Sequence, residues 1–412
     1  MLNHSSFAAL QQPRFCRLWA ASFASGMAMA AHETAARWVL SKLEAPALLI
    51  SLASSLSALP FFVFTLPAGF LADLVDRPWL LRLINVWLAA VAGVLAILGF
   101  SGQLTGAMVL LGAFGLGVGF ALNAPIWAAL LTDLVPRDRL ASAATLGALQ
   151  LNLSSLLGSL LGGFLLAAIN PDLVFALNAA GFLAMAIALP SCPRVRTAKP
   201  FNSRRLARSL TKVARYVCSS PPLRTVLARN GFFALFVSAI PTLLPVIALR
   251  DLELEPARLG LLFTLMSTGS VVASLFLSGW AQQRFSSNSI LLGGKILLVL
   301  IYLGAALGGL APSYWFLLPL AGAAWTLSAS ELWAGAQRVI RPWASGRVNA
   351  AMIMLSQGAM AAGGMVWGLL AHTYGTRPTL AVVAALFAAY LALTAQKNRP
   401  LYERLFAGKK NE

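Results

Sequence analysis

Long apolar runs broken by short polar interruptions dominate the chain. Twelve such runs lie near residues 18–41, 48–72, 80–101, 106–132, 140–168, 173–191, 225–249, 258–282, 289–310, 313–336, 347–372 and 378–396. Each is close to the roughly 20 residues that carry a helix across a hydrocarbon core. Within the runs apolar residues recur all round a helix, with Gly and Ala throughout. A membrane β-barrel would instead show segments of about ten residues that alternate apolar and polar. Lipid admits only helices or closed barrels, because every backbone polar group must be satisfied inside the protein. The pattern therefore predicts an all-α membrane protein with twelve transmembrane helices.

Composition sharpens this picture. Of 412 residues, 59% are apolar and 11% charged, against about 25% charged in a typical soluble domain. The net charge of +18 would point to nucleic acid on a soluble surface. Here the sorting of the charges matters more. With the N-terminus placed inside, 26 of the 31 Lys and Arg residues fall in or beside inner segments: Arg14 and Arg17, Arg77 and Arg82, Arg137 and Arg139, Arg284 and Lys295, ten from Arg194 to Arg229, three from Arg338 to Arg347, and five after Gln396. That asymmetry predicts both termini in the cytoplasm of a multi-pass cell-membrane protein, with membrane lipids as partners and no nucleic acid; a bacterial inner membrane is expected. Cys16, Cys192 and Cys218 all fall on the inner side, where thiols stay reduced, and no disulfide is expected. The stretch ASFASGMAMAAHE has the look of a signal-peptide cleavage site, but its apolar run continues to a full crossing length, so the first helix is expected to be retained.

Between Pro190 and Pro222 the text changes to eight basic residues and no acid, with Pro and Ser at both ends. This predicts a linker at 192–222 between an N-terminal six-helix bundle (1–191) and a C-terminal one (223–396), followed by a cytoplasmic tail (397–412). Within the linker, Leu206, Leu210, Val213 and Val217 stand at helical spacing among Arg and Lys. The segment is either a short helix lying on an anionic inner leaflet or a solvated basic tether. The halves repeat faintly at an offset of about 207 residues. Arg139 then matches Arg347, Gln150 matches Gln357, and GSLLGGFL from Gly158 parallels GAMAAGGMVWG from Gly358, a run of small residues that lets helices approach closely. Duplicated six-helix units are one architecture for alternating access to a midplane site.

At the junction of the second and third spans, GFLADLVDRPWLL resembles the G-x-L-A-D-x-x-x-R signature of the major facilitator superfamily, carried by Gly69, Leu71, Ala72, Asp73 and Arg77. FCRLWAASF near the start, LNAPIWAALLTDLVPRDRLASAATL after the fourth span, and AGAAWTLSASELWAGAQRVIRPWASGRVNAAMIM further on resemble the branch of proton-driven exporters that includes the enterobactin exporter and the transmembrane secretion effectors. The resemblance runs from about residue 14 to 396. It implies a conformational latch on the cytoplasmic face, made by Gly69, Asp73 and Arg77, with Asp76 a solvated charge or a cap for the third span. Family members usually carry a basic residue directly after the aspartate, where this chain has Leu74, and a longer basic run where it has Pro78 and Trp79. These departures predict a weaker latch. The exporters' G-P-x-x-G-G motif, associated with antiport, stands here as Gly158, Ser159, Leu160, Leu161, Gly162 and Gly163, without its proline, and Ser155 replaces the usual arginine.

Ionisable residues at membrane depth cost about 2.5 to 3.5 kcal/mol each on insertion scales, so they are the first candidates for function. Glu33 and Arg37 share a face of the first span at i and i+4, with His32 beside them. Either Arg37 reaches the outer surface and Glu33 neutralises it, or Glu33 carries a proton, with Arg37 and His32 tuning it. Glu331 in the tenth span has no basic residue within a turn. It is read as a substrate or proton site, or as an inner-interface residue paired with a loop arginine. Its repeat counterpart is Asn123, and the resemblance places both on cavity-lining helices. Gln150 and Gln357 are weaker polar candidates. Trp127, Phe232, Phe236, Trp325 and Trp333 are candidates for an apolar pocket around an organic substrate, or plain packing residues.

An enzyme is not expected. His4, His32 and His372 form no metal spacing, no phosphate loop with its lysine is present, and GLGVGF at Gly115 sits inside a span with no strand before it. No cofactor and no metal are expected. The resemblance implies a monomeric secondary active transporter that exports a small organic molecule, a siderophore or a drug-like amphiphile, in exchange for protons. An importer or facilitator of the same fold, or a transport-inactive receptor or assembly factor, are the alternatives.

Overall fold

A computed structural model of the chain describes residues 9–43, 46–71, 75–136, 139–168, 170–189, 203–307, 311–341 and 344–397. These residues form helices and no strand. In chain order they are α1 (Pro13–Lys42), α2 (Ala47–Leu71), α3 (Arg77–Phe100), α4 (Gly106–Leu134), α5 (Leu140–Ala168), α6 (Pro171–Ala188), α7 (Ser203–Ser219), α8 (Pro221–Val237), α9 (Ala239–Val246), α10 (Pro256–Val272), α11 (Ser278–Arg284), α12 (Ser287–Ala306), α13 (Ala311–Val339), α14 (Ser345–Tyr374) and α15 (Thr376–Lys397). Single π-helical turns at Ile247–Asp251 and Ala273–Leu277 follow α9 and join α10 to α11.

The seventh expected span is thus α8 with α9 and its π turn, and the eighth is α10 through α11. Among the described residues, ten stretches are long and apolar enough to cross a membrane. The other two expected spans, α1 and α13, are 30 and 29 residues long but carry polar groups at depth, His32, Glu33 and Arg37 in one and Ser328, Ser330 and Glu331 in the other. Proline opens several helices, with Pro13, Pro78, Pro171 and Pro221 in first turns, where a missing N–H costs no bond. Asp76 occupies the N-cap position of α3 without a side-chain capping bond. Ser286 does cap α12, accepting from the Ser289 N–H at 3.2 Å.

Contacts divide the chain into two compact units. The first comprises residues 1–45, 56–202 and 248–264, and the second 46–55, 203–247 and 265–412. In the first, α1 packs on α5 and α6, and α3 on α4 and α6. Its core joins Leu18, Leu81, Leu88, Leu116, Ile126 and Phe182, with Trp127 packed against it. Arg82 donates to the carbonyls of Ala186 and Leu189 at 3.2 and 3.0 Å, placing a cation at the negative end of α6.

In the second unit, α8 packs on α13 and α14, and α12 on α13 and α15. Of the two alternatives for the basic segment, a helix is present, α7. Val213 is buried in a cluster with Leu223, Leu227 and Ile340, and the Tyr216 hydroxyl donates to the Val339 carbonyl at 3.4 Å and accepts from the Arg341 N–H at 3.3 Å. Part of the linker is therefore docked on the ends of α8 and α13. Residues 190–202 lie outside the described residues. The break at Ser238 and the following π turn have a local cause, because Pro241 and Pro245 remove two helical donors. The Pro241 carbonyl, whose partner would have been the missing Pro245 N–H, accepts instead from the Ser54 hydroxyl at 3.3 Å.

The small-residue runs on α5 and α14 do matching work. Neither Gly162 nor Gly163 has room for a side chain: a Cβ on Gly162 would come within 2.6 Å of the Ala31 Cα on α1, and one on Gly163 within 2.9 Å of the Gly260 Cα on α10. In the second unit Gly363 lies against the Leu235 carbonyl of α8, and Gly364 against Ser55 and Thr242. The doublet Gly162–Gly163 and its repeat partner Gly363–Gly364 each wedge between the same pair of elements, the first span of their own half and the start of the second span of the other. The weak sequence repeat is thus a repeat of contacts.

Candidate functional site

The first candidate group sits on α1. Arg37 Nη2 lies 3.2 Å from Glu33 Oε2, with the arginine side chain 10% exposed and the glutamate 42%. The i,i+4 spacing on a helix makes this geometry available without distortion. The guanidinium also lies over the Phe263 ring, 5.0 Å from its centroid, and its Nε is buried with no hydrogen-bond partner among the described residues. Arg37 is therefore fixed by packing and by a cation–π contact worth about 2 kcal/mol when desolvated. Glu33 is the more open member of the pair. His32 points elsewhere. It is fully enclosed against Phe175, with ring centroids 4.6 Å apart and Nδ1 unpartnered among the described residues. It faces α6 and does not hydrogen-bond Glu33.

Glu331 on α13 is 2% exposed. Its Oε1 accepts from Gln282 Nε2 of α11 at 2.9 Å, while Oε2 is buried without a hydrogen-bond partner among the described residues. The partner is an amide from α11, where one of the two alternatives for Glu331 was an arginine from a loop. A carboxylate oxygen buried without a hydrogen-bond partner costs its desolvation.

Asn123 on α4 and Gln357 on α14 are half-buried. Gln150 is buried, and its amide donates to the Ser22 carbonyl at 3.1 Å and to the Ser154 hydroxyl at 3.4 Å, while Ser154 donates to the Phe23 carbonyl at 2.9 Å. This is a staple between α5 and α1, beside Gly26.

The five aromatics do not gather within either unit. Trp127 packs on the first unit's core. Phe232 is largely exposed and stacks on Tyr390 at 5.0 Å, and Phe236 is buried against Phe387 at 4.6 Å. Trp325 is half-buried and Trp333 is 41% exposed. An apolar recess does exist among α9, α12, α13 and α15, lined by residues that include Leu243, Ile247, Ile301, Tyr302, Tyr314 and Leu380. None of the five lines it.

Of the expected latch, Gly69 closes on open space within α2 and Arg77 begins α3. Asp73 lies outside the described residues. Two buried cations escaped the sequence reading. Arg229 and Lys295, counted there among the inner charges, are 8% and 5% exposed inside α8 and α12. Their only sequence signal was their position inside apolar runs.

Residues 4–407 match the family described as transmembrane secretion effector. Macrolide efflux protein A of Streptococcus pyogenes is 30% identical over 131 residues, a match that spans 32% of this chain and 32% of that protein. Among solved structures, a bacterial homolog of the human lysosomal transporter Spinster superposes with a TM-score of 0.72 at 14% identity, covering 96% of this chain and 97% of that one. The nucleoside transporter NupG gives 0.69 at 11% identity over 93% and 98%. A D-xylose–proton symporter gives 0.69 at 12% identity over 91% and 96%. These likenesses show the fold of major facilitator transporters.

Proposed function

We propose, from the premise that this chain belongs to the transmembrane secretion effector family, that it is a proton-coupled exporter of a small organic molecule. The observation that carries the reading is the Glu33–Arg37 pair in α1, a carboxylate still accessible beside an arginine held by Phe263. When Glu33 is ionised the pair is neutral. When Glu33 takes a proton, Arg37 keeps its ring contact and the local charge rises by one. A membrane potential worth about 2.3 kcal/mol per charge per 100 mV then acts on the loaded and unloaded forms differently. Proton entry down its gradient drives cargo outward by alternating access, both termini facing the cytoplasm of a bacterial inner membrane.

Amphiphilic drugs or siderophores are the cargo class. The macrolide efflux relative favours the former, on a match confined to about a third of each chain. Glu331 serves as the second acid, able to hold a proton or to meet a cationic group. In energised everted vesicles the wild type should accumulate a labelled macrolide or an iron-free siderophore, and Glu33→Gln should not, while the variant's thermal unfolding stays near that of the wild type. Full accumulation by Glu33→Gln would remove the glutamate from the mechanism.

By resemblance to the superfamily, Asp73 with Arg77 forms the cytoplasmic latch. Asp73→Asn should change the transport rate and shift the balance of conformations read by crosslinking across the cytoplasmic ends of the spans. An unchanged rate and balance would refute that role.

A further inference from the structure

Glu331 is the only acid among the described residues of the second unit, a unit rich in Lys and Arg. It is nonetheless in an ion pair with none of them, and its Oε2 is buried with no hydrogen-bond partner among the described residues. Ser328 stands one turn earlier on the same face of α13. It is fully buried, and its Oγ also has no hydrogen-bond partner among the described residues. A helical serine ordinarily falls back on a carbonyl of the preceding turn. Ser330 does so, donating to the Leu327 carbonyl at 3.0 Å. Buried polar atoms are almost always partnered, so two orphaned oxygens on successive turns of one face ask for a ligand.

The surroundings indicate which ligand. Ser328 Oγ points at α12, into the space that a side chain on Gly294 would fill. Lys295, the next residue, turns its ammonium to the Tyr390 ring of α15, 5.7 Å from the centroid. Arg338, the one basic residue of α13, lies two turns beyond Glu331 and donates to the Ser287 hydroxyl at 3.4 Å. Gln282 gives its Nε2 to Glu331 Oε1, which leaves its amide oxygen, on the same carbon, beside the carboxylate. A carboxylate, a hydroxyl and an amide oxygen are hard donors that suit a hard cation. One carboxylate balances one positive charge, whereas a divalent ion would keep a net charge in an apolar surrounding, at heavy cost. Gln282 itself is exposed and lies two residues from the end of α11, an end that the alternation of spans places on the linker's side. It stands at the mouth through which an ion would arrive.

We propose that Glu331 Oε2, Ser328 Oγ and the Gln282 amide oxygen hold an alkali cation, with water or backbone carbonyls completing its shell. Glu331 supplies the charge, Ser328 the second orphaned oxygen, and Gln282 the ligand nearest the aqueous side. Resting on the reading of Glu331 as a group that meets a cation, the site is independent of proton coupling at Glu33.

Equilibrium binding of radioactive sodium to the purified full-length protein, without cargo or gradient, tests this. The wild type should bind sodium saturably, and sodium chloride should raise its thermal midpoint above that in choline chloride of equal ionic strength. Glu331→Gln should abolish the binding. Ser328→Ala should weaken it about tenfold, the scale of a lost contact between a charge and a polar group, a comparison that stands even if Glu331→Gln fails to fold. Ser330→Ala, whose hydroxyl bonds its own helix, is the control and should bind as the wild type does. Absent or unsaturable sodium binding, equal binding by Ser328→Ala and the wild type, or displacement of sodium by choline, or by magnesium at lower concentration, would each overturn the proposal. Loss of cationic-drug transport in Glu331→Gln with no sodium binding by the wild type would keep the glutamate as a cation site and refute the alkali ion.

Discussion

Gln150 and Glu33 were both polar candidates in the sequence, and their surroundings separate them. Gln150 spends its amide donors on Ser22 and Ser154, whereas Glu33 has one partner and an accessible carboxylate. Interhelical hydrogen bonds in membranes are worth on average about 0.6 kcal/mol. Gln150→Leu should therefore lower stability by about that amount and leave the substrate KM unchanged in vesicle uptake. A raised KM with normal stability would return Gln150 to the substrate site. The type and spacing of Glu33 and Arg37 were legible in the sequence because i,i+4 on a helix is local geometry. The ring of Phe263 over Arg37, the amide of Gln282 on Glu331 and the burial of Arg229 with Lys295 were not, because each depends on residues 49 or more positions away or on a helix face that only packing defines.

At the scale of elements, apolar run length located the helices to within a few residues, since the run and the helix are both set by bilayer thickness. The fifth run, 140–168, coincides with α5 (Leu140–Ala168), and the eleventh, 347–372, lies just inside α14 (Ser345–Tyr374). Hydropathy is blind to backbone register, so it missed the break at Ser238 and the two π turns, although Pro241 and Pro245 mark the first of these in plain view. The glycine doublets were legible as close-approach sites, and their partners were not. Gly163 meets Gly260 so closely that an added Cβ would come within 2.9 Å of a backbone carbon. Gly163→Val should thus force α5 and α10 apart, lowering the thermal midpoint and abolishing uptake. Gly147→Val, on the same helix with nothing within 4 Å of the added Cβ, is the control and should retain both. Normal transport by Gly163→Val would show that the close packing is dispensable.

For the whole molecule, the sorting of basic residues sets the expected orientation. Cys16 and Cys218 are exposed, one at the start of α1 and the other at the end of α7. In a Cys192→Ser background, a membrane-impermeant maleimide should label both in everted vesicles and neither in intact cells. The reverse pattern would invert the topology read from the basic residues. In the proposed cycle cargo moves against protons through Glu33. The most direct test follows the pH gradient of energised everted vesicles with a quenched dye while a macrolide or iron-free siderophore is added. An immediate, saturable partial collapse of the gradient is expected with the wild type and none with Glu33→Gln. Cargo entry with the gradient unchanged, or an equal collapse with the variant, would contradict it.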